Sequence, residues 1–398
     1  MRWRGCPPRA FWKARRWRCG SKTSERRPAI PEQPGPMIVI PGSSPGHGMP
    51  LAPPSLSPCD GRVRPLVNRI RPKAFSMPET PDFNDRMLSL GLARVSEAAA
   101  MASAEWIGRG DEKAADQAAV NGMREQLNKL DIRGVVVIGE GERDEAPMLF
   151  IGEEVGAGDG PEVDIALDPL EGTTLTAKDM PNALTVIAMG PRGSMLHAPD
   201  VYMEKLAIGP GFHAGVVTLD MAPAERVSAL ASAKGCAATD ITVCVLERPR
   251  HESMIEDLRG TGCAIRLITD GDVAGVMHCA EPQTGIDMYM GSGGAPEGVL
   301  AAAALKCMGG QMFGKLLFRN GEEEARAKAA GITDLNRIYT RDDMVTQDVI
   351  FAATGVTDGS ILPGIRREPG FLTAETILMR SKTESVRRMT YRNPVRQG

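Results

Sequence analysis

Val163-Asp-Ile-Ala-Leu-Asp168-Pro-Leu-Glu-Gly-Thr-Thr174 is the stretch on which the reading of this chain turns. Its first five residues form a short aliphatic run of the kind that makes a buried strand. The run ends on Asp168, and a carboxylate at the C-terminal end of such a strand points into the crevice where α/β folds bind ligands. Pro169 fixes φ and Gly172 permits a tight turn, so Asp168, Glu171 and the Thr173 hydroxyl are placed to converge. Carboxylates that close repel one another unless something cancels their charge. Hard divalent cations such as Mn²⁺ or Mg²⁺ do so through oxygen ligands alone. No His lies in the stretch, which speaks against zinc. Solvated turn acids are the competing reading; the rigid turn with three oxygen donors favours the cation.

Working outward, other short apolar runs bounded by turn residues read as strands: 134–138, 184–188, 241–246 and 264–268. Helical periodicity predicts helices over 83–107 and 112–129, the second capped by Asp111, and over 251–260, 271–279 and 295–308. Strands alternating with helices predict α/β layers. Two further β-like runs, 371–380 and 384–391, come late. A break near 205–225 suggests subdomains 77–210 and 211–391, with a tail at 392–398.

Polar residues gather where these elements meet. Gly139-Glu140-Gly141-Glu142 follows the Val-rich strand; Glu142, Asp144 and Glu145 read best as solvated acids. Gly291-Ser-Gly-Gly294 reads as a turn opening the helix that carries Glu297, which can cap that helix or reach a cation. Asp270-Gly271-Asp272 forms a similar junction, where Asp272 is either a helix cap or a ligand contact. Arg248-Pro249-Arg250 sets two guanidiniums at a strand end, which suits phosphate. The neighbouring His251 reads as a surface residue. Tyr202 and Lys205 fall on opposite faces of an alternating run.

The chain has 398 residues, 42% hydrophobic and 24% charged, with a net charge of −3, so it has apolar residues enough for a large core. No run of about 18 apolar residues is present, which excludes a transmembrane helix. The near-neutral charge gives no argument for a nucleic-acid partner. Residues 1–76 differ: 15 Lys/Arg against 3 Asp/Glu, and 14 of the 30 Pro, predict a disordered basic extension. A start placed upstream of the working protein, which would begin near Met77, is the preferred account; a transit segment or a nucleic-acid tail are the alternatives. The eight Cys show no C-x-x-C spacing, and the five beyond residue 76 read as buried reduced thiols in a cytoplasmic protein.

The motifs Gly108-Arg-Gly-Asp111, Val137-Ile-Gly-Glu-Gly-Glu142, Asp168-Pro-Leu-Glu-Gly-Thr173, Tyr202-Met-Glu-Lys205, Pro249-Arg-His251, Asp270-Gly-Asp272 and Gly293-Gly-Ala-Pro-Glu-Gly298 occur in an order that resembles class II fructose-1,6-bisphosphatase. That family lies within the inositol monophosphatase/fructose-bisphosphatase superfamily. The resemblance runs from about 83 to about 391. It implies a layered α/β/α/β sugar-phosphatase fold and hydrolysis of fructose 1,6-bisphosphate with Mn²⁺ or Mg²⁺. By motif it implies Asp116 and Glu140 at one metal site, with Asp168, Glu171 and Glu297 at the other. It puts catalysis on Thr173, Glu171 and Asp168. Substrate contacts fall on Glu171, Gly172, Thr173, Asp270, Gly271, Asp272 and Gly294, with Tyr202, Arg248, Pro249 and Arg250 near the far phosphate. The partner implied is a small sugar bisphosphate, not nucleic acid or membrane, acted on by a homo-oligomer. Sedoheptulose 1,7-bisphosphate is the alternative substrate, and an inactive sugar-phosphate-binding regulator the alternative role.

Overall fold

The computed structural model describes residues 83–141 and 148–395. The extension 1–76, the acids Glu142, Asp144 and Glu145, and residues 396–398 lie outside the described residues.

Two helices come first, α1 (Phe83–Ser103) and α2 (Glu112–Leu127). Asp111 caps α2, its Oδ1 accepting from the Ala114 N–H at 3.0 Å. Strands β1 (Arg133–Ile138), β2 (Glu154–Val155), β3 (Glu162–Glu171) and β4 (Leu184–Pro191) follow, with the short α3 (Thr173–Ala177) between the last two. Then come β5 (Tyr202–Ile208), α4 (Pro223–Lys234), β6 (Thr242–Leu246), α5 (Glu252–Gly260), β7 (Ala264–Ile268), α6 (Asp272–His278), β8 (Met288–Gly294) and α7 (Ala295–Met308). They are followed by β9 (Gln311–Leu317), α8 (Gly321–Ala329), β10 (Ile338–Thr340) and α9 (Arg341–Met344). The chain closes with β11 (Ile350–Gly355), β12 (Arg366–Glu368), β13 (Phe371–Arg380) and β14 (Ser385–Pro394).

The strands form two sheets. One runs β12-β13-β11-β4-β3-β1-β2, with β14 paired to β13; the other runs β10-β9-β5-β8-β6-β7. Sheet membership divides the chain differently from the expected subdomains 77–210 and 211–391. The chain enters the second sheet at Tyr202 and returns to the first at Ile350, so β11 to β14 complete the sheet that β1 to β4 begin. The expected tail also shortens, because β14 runs to Pro394 against Phe371 of β13.

Period-two alternation explains the layering. On β3, Ile165 and Leu167 pack with Val136, Ile187 and Met189 against Leu92, Ala93 and Val95 of α1. The opposite face carries Ala166, with Val186, Ala188 and Phe351, against α7. In the second sheet Met203, Ala207, Cys244 and Tyr289 turn toward α7, while Leu206, Val243, Val245 and Met290 turn away onto Val227 and Leu230 of α4 and Leu258 of α5. The molecule is therefore α/β in layers: α1 and α2, a sheet, α6 and α7, a sheet. The outer α4 and α5 add a fifth layer to the four expected. Helix α7 is buried nearly all round, as its Ala-rich sequence requires of a helix between two sheets. Among the described residues no helix is long and apolar enough to cross a membrane. All five Cys beyond residue 76 are free thiols; Cys244, Cys263, Cys279 and Cys307 are buried and Cys236 is half-buried.

Between α1 and the first sheet lies a buried polar chain. Ser96 Oγ and Thr354 Oγ1 are 2.8 Å apart, Thr354 and Thr376 another 2.8 Å, and Thr376 Oγ1 donates to Glu97 Oε1 at 3.3 Å. Burial pushes the Glu97 carboxyl up to about 7, against the smaller lowering effects of Thr376 and Arg94. A carboxyl raised from 4.5 in the unfolded chain stabilises the fold while protonated and loses that contribution as pH rises through about 7. Glu97→Gln, which keeps volume and hydrogen bonding, should therefore raise stability above pH ~8 by on the order of 3 kcal/mol and change little near pH 4. Thermal melts across that range check it; parallel curves for the two proteins would show that another group titrates.

Candidate active site

Asp168-Pro169-Leu170-Glu171 is a bulged strand end, not a separate turn. β3 pairs with β4 through Asp168, opposite Val186, and again at Glu171, opposite Leu184, so β3 carries one extra residue between them. A bulge is where a strand tolerates proline, and Pro169 sits in it. The Asp168 Oδ1 accepts from the Leu170 N–H at 2.9 Å, which closes the bulge. Gly172 follows with φ of 90° and delivers Thr173 to the first position of α3; Gly271, φ 83°, delivers Asp272 to α6 in the same way. Glu171 then reaches α6: its Oε1 accepts from the Val273 N–H at 2.9 Å, satisfying a donor at that helix start.

Asp272 does not cap its own helix. Its Oδ2 is held at 2.5 Å by the ammonium of Lys205, a side chain with no exposed surface. The glycines before α7 are strand residues rather than a turn. Gly291, Gly293 and Gly294 lie in β8, paired with Lys205, Met203 and Tyr202 of β5. A Cβ at Gly293 would sit 2.0 Å from Asp272 Oδ2, and one at Gly294 would sit 2.0 Å from Glu297 Oε2. The strand is glycine there because two carboxylates occupy the space above it.

The acids feel one another. Burial, then the charges of Asp116 and Glu297, push the Glu140 carboxyl up to about 8. Burial likewise lifts Asp168 to about 8, with Glu140 and Glu297 adding to the rise against a lowering hydrogen bond from Glu171. Glu171 is raised well above its usual range by burial and then by Asp168 and Asp272. Glu297 is raised by burial, partly offset by Lys205, and Asp116 by burial. The chain thus gathers Asp116 from α2, Glu140 from beyond β1, Asp168 and Glu171 from β3, Asp272 from α6 and Glu297 from α7.

A second group lies around Tyr202. The Arg250 guanidinium stands 4.9 Å from its ring centroid and hydrogen-bonds Ser292 Oγ at 3.0 Å. Arg248 is turned elsewhere, 3.6 Å from Asp270 Oδ1 and 2.5 Å from the Thr269 carbonyl, with Pro249 opening the turn between the two arginines. His251 corrects its expected place at the surface. It is buried; its Nδ1 bonds the Leu246 carbonyl at 2.8 Å and its Nε2 accepts from the Ser292 N–H at 2.9 Å, tying the β6–α5 turn to β8. Two residues were given no role by the sequence: Lys205, placed there only on the face opposite Tyr202, and Arg319. Lys205 had a signal, since alternation puts it on the same face as Met203 and Ala207, where a lysine must have a buried acid for company. Arg319, 5.4 Å from the Tyr202 ring, had none. A cavity of about 570 Å³ opens at the other end of the first sheet, beside Val163, Pro191 and Val349, away from every acid of this group.

The model of the family described as bacterial fructose-1,6-bisphosphatase, glpX-encoded, matches residues 86–393. The chain belongs to that family. It is 45% identical over 318 residues to fructose-1,6-bisphosphatase 1 class 2 of Escherichia coli K12, a match covering 76% of this chain and 94% of the relative. The class 2 enzyme of Shigella flexneri matches equally. An inositol monophosphatase structure from Anabaena is 16% identical, covering 50% of this chain and 72% of that one, with a TM-score of 0.27, too slight a likeness to argue from. Membership of the bacterial fructose-1,6-bisphosphatase family makes the chain a phosphatase dependent on divalent metal ions.

The residues present fit such ions. All the gathered donors are oxygens, the preference of hard divalent cations. Glu297 Oε2 is buried with no hydrogen-bond partner, an acceptor left for something else to satisfy. Among the described residues no three His, Cys, Asp or Glu side chains already stand as a closed ligand set. Carboxylates that repel one another stand apart until a cation draws them in.

Proposed function

We propose that this group hydrolyses the 1-phosphate of fructose 1,6-bisphosphate to give fructose 6-phosphate and phosphate. One observation carries the reading: Glu140, Asp168, Glu171 and Glu297, half-buried or buried and drawn from distant parts of the chain, crowd so closely that neighbouring carboxylates favour protonation of each, while the buried Lys205 ammonium beside them is committed to Asp272. Asp116 and Glu140 would hold one divalent ion, and Asp168, Glu171 and Glu297 another, Mn²⁺ or Mg²⁺. Bound there, the ions would offset phosphate charge and acidify a water.

The chain's own residues do the rest. Gly293 and Gly294, lacking side chains, let the backbone of β8 lie directly against the carboxylates of Asp272 and Glu297. Thr173, half-buried at the head of α3 and two residues after Glu171, orients the attacking water; a threonine hydroxyl is too weak a base to act alone. Lys205 fixes Oδ2 of Asp272, leaving Oδ1 to accept from a sugar hydroxyl. Arg250 and Tyr202 receive the far phosphate, and Arg248 borders that region from the Asp270 side. Positioning and electrostatics of this kind are what phosphoryl transfer asks of a protein.

A phosphate-release panel tests it. Fructose 1,6-bisphosphate, sedoheptulose 1,7-bisphosphate and inositol 1-phosphate are each given with Mg²⁺, Mn²⁺ or a chelator. The expected result is the highest kcat/KM on the six-carbon bisphosphate and no release in chelator. Preference for the seven-carbon substrate would reassign the sugar, and release in chelator would remove the metal reading.

A further inference from the structure

We propose that Arg319 is a further recognition residue for the phosphate that is not cleaved, and that Glu323 positions it; the inference rests on the reading above. The chain leaves β9 beside Tyr202, since Leu317 pairs with Tyr202 in the sheet, and Arg319 comes two residues later. Its guanidinium stands 5.4 Å from the Tyr202 ring centroid; that of Arg250 stands 4.9 Å from the same ring. One aromatic side chain therefore brings together two arginines from remote parts of the sequence.

Their other contacts differ in a way that points to an anion. Glu323, 2% exposed, lies beneath Arg319 and holds it from below: its Oε1 takes Nε at 2.6 Å and Nη2 at 2.5 Å, and its Oε2 takes the Arg319 backbone N–H at 2.7 Å. Arg319 itself is 65% exposed at the side chain. A guanidinium has five N–H donors in a fixed fork, so these contacts leave an edge facing outward in a set orientation. Arg250 is anchored only by Ser292, through its carbonyl and hydroxyl oxygens, and among the described residues it has no carboxylate partner. Arg319 has acids for company, Glu323 at its guanidinium and Asp200 farther off, whereas the guanidinium of Arg250 at the same ring has none among the described residues. A phosphate dianion between the two forks supplies the missing charge and accepts from both. Glu323 fixes where the second fork points, and hence how long a sugar bisphosphate can be while still presenting its other phosphate to the acids.

The test uses the full-length enzyme with Mn²⁺ or Mg²⁺ and two inhibitors, fructose 6-phosphate, which carries only the far phosphate, and inorganic phosphate. Arg319→Gln should raise the inhibition constant of fructose 6-phosphate by about 10- to 100-fold, the range of a charged hydrogen bond lost to water. The constant for inorganic phosphate should move several-fold less. Arg319→Lys should fall between wild type and Gln. Glu323→Gln should weaken fructose 6-phosphate less than Arg319→Gln does, because the guanidinium remains but loses its fixed orientation. Equal shifts for both inhibitors, or none for fructose 6-phosphate, overturn the proposal. A wild-type enzyme that releases no phosphate from the bisphosphate would instead overturn the underlying assignment.

Discussion

Glu171→Gln is expected to lower kcat on fructose 1,6-bisphosphate by at least about 10²-fold, the scale seen when one preorganised charged group leaves an active site. Glu171 is 4% exposed and faces Asp168, Asp272 and Glu297, so its charge is tolerable only with a cation present. The substitution keeps the shape, and Gln Oε1 can still accept from the Val273 N–H. Stability should move the other way. A carboxyl raised well above its usual range contributes stability while protonated and loses it as pH rises past its folded value. Gln stays neutral throughout, so in chelator at alkaline pH the variant should melt higher than wild type while turning over far more slowly with metal. Opposite signs in two assays separate loss of a ligand from loss of fold. Turnover and metal dependence equal to wild type would take Glu171 out of the site.

Much of this arrangement is legible in one dimension because its signals are local. The aliphatic run into Asp168, the Asp111 cap and the Ala-rich helix after Gly294 each rest on residues a few positions apart, and each has its counterpart in β3, α2 and α7. What escaped depends on remote partners. Gly291 to Gly294 look like a turn until Asp272 and Glu297 are known to fill the space above β8. His251 looks solvated until Ser292 arrives from 41 residues away to take its Nε2. Strand β9 carries Gly314 and Lys315 inside its run and β11 two alanines, so residue preference marks neither as a strand, and their identity comes from pairing with β5 and β4. The fifth layer follows from α4 and α5 covering a face whose alternation was visible but whose cover was not.

Lys205→Met should be the most disruptive change away from the acids themselves. Lys205 has no exposed surface, and its ammonium holds Asp272 at 2.5 Å while lowering the carboxyl of Glu297. Methionine fills similar volume but leaves Asp272 buried without its counter-charge beside Glu171 and Glu297. Removing one member of a buried pair costs about 3–5 kcal/mol, mostly the penalty of the stranded charge. In chelator near neutral pH the melting temperature should therefore fall by roughly 5–10 °C. Activity should fall as well, by about 10² or more, because Asp272 would no longer be held in place to accept a sugar hydroxyl. The stranded-charge account makes a sharper demand on the double variant. Adding Asp272→Asn to Lys205→Met removes the charge that lost its partner, so stability should return most of the way to wild type while activity stays low. If the double variant melts no higher than Lys205→Met alone, the loss comes from packing around β5 rather than from electrostatics. The buried ammonium would then have no special part in making this cluster of acids tolerable.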